Sequence, residues 1–147
     1  MIATNEMKLN LMSRSSNESF ARVAVSAFIT QLDPTIEEIS DIKTSVSEAV
    51  TNCIVHAYSE KIGRIYITVK IMEGGKIFIK IRDTGCGISD IKQAMEPLYT
   101  TAGGERAGLG FAVMQSFMDN IKVSSRIGKG TSVTMTKQLS LRMKSHG

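Results

Sequence analysis

The 147 residues carry 42% apolar and 22% charged side chains with a formal net charge of +4, proportions that exclude a disordered or fibrous chain, and at this length one hydrophobic core can be filled where two could not. No apolar run nears the ~20 residues that cross a bilayer, and the N-terminal MIATNEMKLN lacks a signal core, so one cytoplasmic domain spanning residues 1–147 with no membrane association is expected. The eighteen Lys and Arg are interspersed with acids, which argues against a direct nucleic-acid partner, and Cys53 and Cys86 make neither a disulfide framework nor a zinc site.

Met7, Leu9 and Leu11 alternate within Glu6–Met12 and predict a first strand. Asn17 is placed to cap a helix whose apolar positions are Phe20, Val23, Ala24, Ala27, Phe28 and Leu32, ending at Asp33-Pro34. Thr35 stands three residues before Glu38, a capping-box spacing, and Ile39, Ile42, Val46, Ala49, Val50, Cys53 and Ala57 form the apolar stripe of a second helix. Ile65, Ile67, Val69 and Ile71, then Ile77, Ile79 and Ile81 across a Gly74-Gly75 turn, predict a hairpin. Residues 89–107 read as a short helix and a mobile loop, and Leu109–Met118 as a helix buried on more than one side. Val123, Ser125 and Ile127, a Gly128-Lys129-Gly130 turn, then Val133 and Met135 predict a closing hairpin. Residues 137–147 are expected to form a disordered basic tail, and the nine methionines to serve as core filler or partner surface. The fold class is α+β, two layers with helices on one face of a mixed, mostly antiparallel sheet.

Three segments carry candidate chemistry. Glu48, Asn52 and His56 are four apart and share a helix face away from the apolar stripe; a solvated face or a ligand site satisfies that spacing, and Val55 between them suggests a covered side. Asp83 ends a strand and opens DTGCGI, where Gly85 and Gly87 strip side chains from a turn just beyond an acid. An ordinary turn has that composition too, but such a carboxylate can accept a hydrogen bond from an exocyclic amine. Gly108-Leu109-Gly110 opens a helix whose free N–H groups attract phosphate, preceded by the hydroxyls of Thr100 and Thr101 and the guanidinium of Arg106 on a segment able to close over a nucleotide.

In this order, with Thr131 in GKGTSV, the segments resemble the GHKL (histidine-kinase-like) ATP-binding superfamily. SNESFARVAVSAFITQLDPT and SEAVTNCIVHAY look more closely like the sporulation anti-sigma F factors, serine kinases of that superfamily, over nearly the whole chain. The resemblance implies that ATP or ADP binds with Mg²⁺, that Glu48 is the general base, and that Asn52 holds the metal. It further implies that Asp83 binds adenine with support from Thr131, that Gly85 and Gly87 let the base lie flat, and that Thr100, Thr101, Arg106, Gly108, Leu109 and Gly110 surround the phosphates. The implied partners are a sigma factor inhibited in the ATP state, an anti-anti-sigma factor phosphorylated on serine, and a second copy in a homodimer. Arg22 matches a partner-contacting position, although a solvated helix arginine would look the same. Two alternatives are carried: the stress-response branch of these anti-sigma kinases, and an ATP-gated sigma-binding module without significant transfer.

Overall fold

The alternating segments pair edge to edge into one sheet. The structure, a computed structural model, describes residues 2–95 and 105–140, the side chains of 105–109 excepted. The chain runs β1 (Ala3–Met12), α1 (Ser16–Ile29), α2 (Ile36–Asn52), β2 (Arg64–Met72), β3 (Lys76–Asp83), α3 (Ile91–Ala94), α4 (Glu105–Phe117), β4 (Asn120–Arg126) and β5 (Gly130–Gln138). The strand order is β1-β2-β3-β5-β4. Every pairing is antiparallel, so the sheet is wholly antiparallel rather than mixed. α1, α2 and α4 cover one face, where Ile65, Ile67, Val69, Ile77, Ile79 and Ile81 are buried against Val25, Ile29, Ile42 and Val46. Each of those isoleucines contributes about 2 kcal/mol by leaving water.

The helices depart from the sequence reading in instructive ways. The buried stripe of α1 is Ala21, Val25 and Ile29, while Phe20 and Val23 are 52% and 53% exposed. Apolar residues surround most of this helix, and its core-facing positions include a small alanine that bulk alone undervalues. Ser15 precedes the first turn, and Asn17, inside it, instead donates from Nδ2 to the Met12 carbonyl at 2.9 Å. α2 stops at Asn52, and Cys53–Ala57 widen into a π-turn closed by the Tyr58 N–H on the Cys53 carbonyl at 3.0 Å. Among the described side chains of α4, Phe111 and Met114 are buried, as is Met118 just beyond it, but Gln115 and Ser116 are exposed, so this stretch buries one face.

The capping box forms: Glu38 N–H donates to Thr35 Oγ1 at 3.0 Å and Thr35 N–H to Glu38 Oε1 at 2.9 Å. Glu38 Oε2 accepts from the N–H and hydroxyl of Ser140 at 2.8 and 2.9 Å. Lys137–Ser140 therefore belong to the fold, with Leu139 buried, and the expected tail is corrected to begin no earlier than residue 141, outside the described residues. Partial burial pushes the Glu38 pKa up, but the bonds from Ser140 and Thr35 outweigh it and hold the carboxyl below its ordinary 4.5. A depressed folded pKa means the stabilisation is complete above the unfolded value and lost as pH falls through the folded one. Glu38→Gln is expected to melt about 3 °C below wild type at neutral pH. The two melting curves should converge as pH falls through the lowered folded pKa of Glu38.

Candidate functional site

The π-turn, the end of β3 and the start of β5 enclose a cavity of about 220 Å³. Its walls are apolar at Ala49, Ile81, Phe111 and Val133, with Asn52, His56, Asp83, Ser89 and Thr131 as polar groups. Such a cavity takes a flat, mostly apolar ligand oriented by a few polar contacts.

Asp83 is 5% exposed, and its Oδ1 accepts from the Gly85 N–H at 2.9 Å and the Thr131 N–H at 3.2 Å. Two backbone donors on one oxygen fix the plane of the carboxylate. Burial, and then the neighbouring Asp83 carboxylate, push the Cys53 thiol well above its ordinary value, so it remains a neutral thiol beside Asp83. The glycines of the turn are required first by the chain itself. A Cβ on Gly85 would lie 2.4 Å from the Ala57 carbonyl oxygen, and one on Gly87, whose φ is +81°, 2.2 Å from that of Arg126. Cys86 ties the turn on both sides, donating its N–H to the Ala57 carbonyl at 3.2 Å and accepting from the Gly128 N–H at 2.8 Å.

Glu48 and Asn52 meet α4 at Gly110. A Cβ there would stand 3.1 Å from Glu48 Oε1 and 3.4 Å from both Oδ1 and Nδ2 of Asn52. Both Asn52 polar atoms are buried and have no hydrogen-bond partner among the described residues, an arrangement that costs about 1–3 kcal/mol per group and that a ligand would relieve. Oδ1 is a hard oxygen of the kind Mg²⁺ takes; that ion commonly keeps waters and phosphates as its other ligands and needs few from protein. Among the described residues no cluster of three His, Cys, Asp or Glu side chains could hold a metal. The Asn52 amide oxygen is therefore a hard donor placed at Gly110 that fits an ion of this kind. α4 begins at Glu105, so Gly108 and Gly110 lie within its first turns rather than at its start. Thr100 and Thr101, and the side chains of Arg106 and Leu109, lie outside the described residues. His56 lines the cavity, while Val55 is 43% exposed and no described element covers it.

Arg22 stands apart from this cavity. Its Nε lies 3.5 Å from Glu18 Oε2, and it borders a shallow groove with Ile36, Ile39 and Lys43 beside the exposed Phe20 and Val23.

Two further residues hold the site, and sequence reasoning passed over both. The Tyr58 hydroxyl donates to the Arg64 carbonyl at 2.7 Å and accepts from the Thr84 N–H at 2.6 Å. Ser125 Oγ accepts from the Ile88 N–H at 2.7 Å, donates to the Gly130 carbonyl at 3.0 Å and contacts Thr131 Oγ1 at 2.8 Å. A hydroxyl alternating with Val123 on an inward face was the available signal for Ser125; nothing in sequence marked Tyr58. Tyr58→Phe removes two part-buried hydrogen bonds, and urea unfolding is expected to show a loss of about 1–2 kcal/mol. Nucleotide affinity should fall with it as the turn at Thr84 loosens.

Residues 13–137 match the histidine kinase-like ATPase domain, so fold and cavity together define a nucleotide-binding domain of the kinase-like ATPase class. The architecture recurs in the RsbU and RsbW domains of Rv1364c from Mycobacterium tuberculosis, at a TM-score of 0.69 and 17% identity over 92% of this chain and 33% of that one. It recurs too in the catalytic domain of histidine kinase ThkA, at 0.55 and 16% over 95% and 100%. The anti-sigma F factor of Thermoanaerobacter sp. (strain X514) is 61% identical over 92% of this chain and 95% of its own length. That of Clostridium acetobutylicum is 52% identical over 93% and 96%. The chain belongs to the anti-sigma F factor family. No helix among the described residues is long and apolar enough to cross a membrane.

Proposed function

We propose that this chain binds and inhibits a sporulation sigma factor of the sigma F type in its ATP state and phosphorylates an anti-anti-sigma protein on serine. The observation that carries the reading is the meeting of the Glu48 carboxylate and the unpartnered Asn52 amide at the bare Cα of Gly110. In this reading Asp83 accepts the exocyclic amine of adenine, with Thr131 beside it, and Gly85 and Gly87 shape the turn against which the base lies. Asn52 holds Mg²⁺ through Oδ1, and the ion, when bound, neutralises phosphate charge. Thr100, Thr101, Arg106, Gly108, Leu109 and Gly110 surround the phosphates. Glu48 takes the proton of the acceptor serine hydroxyl as that oxygen bonds to the γ-phosphorus. The bond from γ-phosphorus to the β,γ-bridging oxygen breaks, and ADP leaves with the electron pair.

Arg22, in a groove edged by Ile36 at 88% exposure, is the proposed partner contact in a homodimeric protein acting in the cytoplasm. The test is transfer of labelled γ-phosphate from MgATP to the anti-anti-sigma protein, run beside sigma capture in ATP and in ADP. Labelled serine with ATP-favoured capture supports the reading. Capture without label points to an ATP-gated binding module, and capture of a stress-response sigma factor in place of sigma F points to that branch of the family.

A further inference from the structure

The helices cover one face of the sheet; the other carries a charge pattern that the linear sequence conceals. Lys8, Thr68, Lys80, Thr134 and Lys122 are register partners, one from each strand, in a single row across all five. Strands lie about 4.8 Å apart, so the three lysines recur roughly every 10 Å with a threonine between each pair. Arg82 lies 4.1 Å from the centre of the Tyr66 ring, and Lys70 lies 5.4 Å from that of Phe78. Arg64, Lys76 and Arg126 extend the field to the strand ends. Against these eight cations the described strands place one carboxylate on this face, Glu6, 3.8 Å from Lys70. The excess of seven positive charges is larger than the +4 of the whole chain, so the remainder of the chain is net acidic. A shallow depression of about 320 Å³ lies at the centre of the face, bordered by Lys8, Tyr66, Thr68, Lys80 and Arg82.

We propose that this open sheet face binds the phosphate backbone of duplex nucleic acid without sequence preference. Phosphate contacts draw on Lys and Arg together with Ser, Thr, Asn, Gln and Tyr, and besides its cations the face offers Thr68, Thr134, Thr136, Ser124, Ser132 and Asn10. Protein interfaces are instead depleted of lysine and centred on apolar side chains; here the two aromatic rings lie beneath cations. A second copy presenting the same face would be repelled by like charge.

Fluorescence anisotropy with a labelled duplex of about 24 base pairs and arbitrary sequence is expected to give a micromolar Kd at about 50 mM salt, weakening steeply towards 200 mM. The combined Lys8→Gln, Lys80→Gln, Lys122→Gln variant should flatten the slope of log K against log salt by about 2.7 and weaken binding at least about tenfold. Lys122→Gln alone, on an edge strand, should flatten it by about 0.9 and serves if the triple variant does not fold. Lys61→Gln with Lys92→Gln, both off this face, should leave binding unchanged. The proposal is overturned by absence of duplex binding at low salt, by an unaltered slope in the folded variants, or by binding to phosphatidylserine vesicles but not to the duplex.

Discussion

Glu48→Gln is expected to lower phosphoryl transfer by about 10²–10⁴-fold while leaving ATP affinity within about twofold. Glutamine keeps the length and shape that place Glu48 against Gly110, where 3.1 Å separates Oε1 from the position a Cβ would take. What it loses is the ability to accept the serine proton. A drop in kcat with unchanged nucleotide titration is therefore the signature of a general base. Gly110→Ala makes a companion variant, because its methyl would press on both Glu48 and Asn52. It should impair binding as well as transfer, so the two substitutions separate loss of chemistry from loss of shape. Equal transfer by wild type and Glu48→Gln would remove Glu48 from the mechanism.

Asp83→Asn should weaken ATP binding by about 100-fold or more, since a hydrogen bond to a charged acceptor is replaced by a donor facing a donor. The asparagine carbonyl can still receive the Gly85 and Thr131 N–H groups that now converge on Oδ1. Its amide then takes the place of the carboxylate's second oxygen in the cavity wall. Inosine triphosphate, which has a carbonyl in place of the adenine amine, distinguishes recognition from collapse. Wild type should strongly prefer ATP over it, and Asp83→Asn should narrow or reverse that preference in calorimetric titrations. Equal loss of both nucleotides would mean that the substitution disorders the turn rather than altering its selectivity.

The sheet was largely legible because inward and outward positions alternate at period two, and Ile65–Ile71 and Ile77–Ile81 left only one register with a buried face. The capping box was legible because both partners lie within four residues. α1 was not, since a helix with apolar residues on several sides does not declare which of them meets the core. The site divides in the same way. Asp83, Gly85, Gly87 and Thr131 sit in or beside short glycine-marked turns visible in the sequence. The Tyr58 hydroxyl, the Ser125 hub and the Cys53 thiol act on partners far along the chain, and nothing beside them in sequence points to those partners. Lysines that look scattered among acids gather on one surface because pleating sorts alternate residues to opposite sides.

β5 lies between β3 and β4 although it follows both of them in the chain. Until residues 130–138 have left the ribosome, β3 keeps an unpaired edge and β4 has no neighbour in the sheet. Asp83 also lacks the Thr131 N–H that orients it. A nascent chain stopped before this point would carry the DTGCGI turn without a wall to close it, and an open strand edge that invites pairing with other chains. Closure of the turn around Asp83 thereby waits on a strand made after both of the strands it joins.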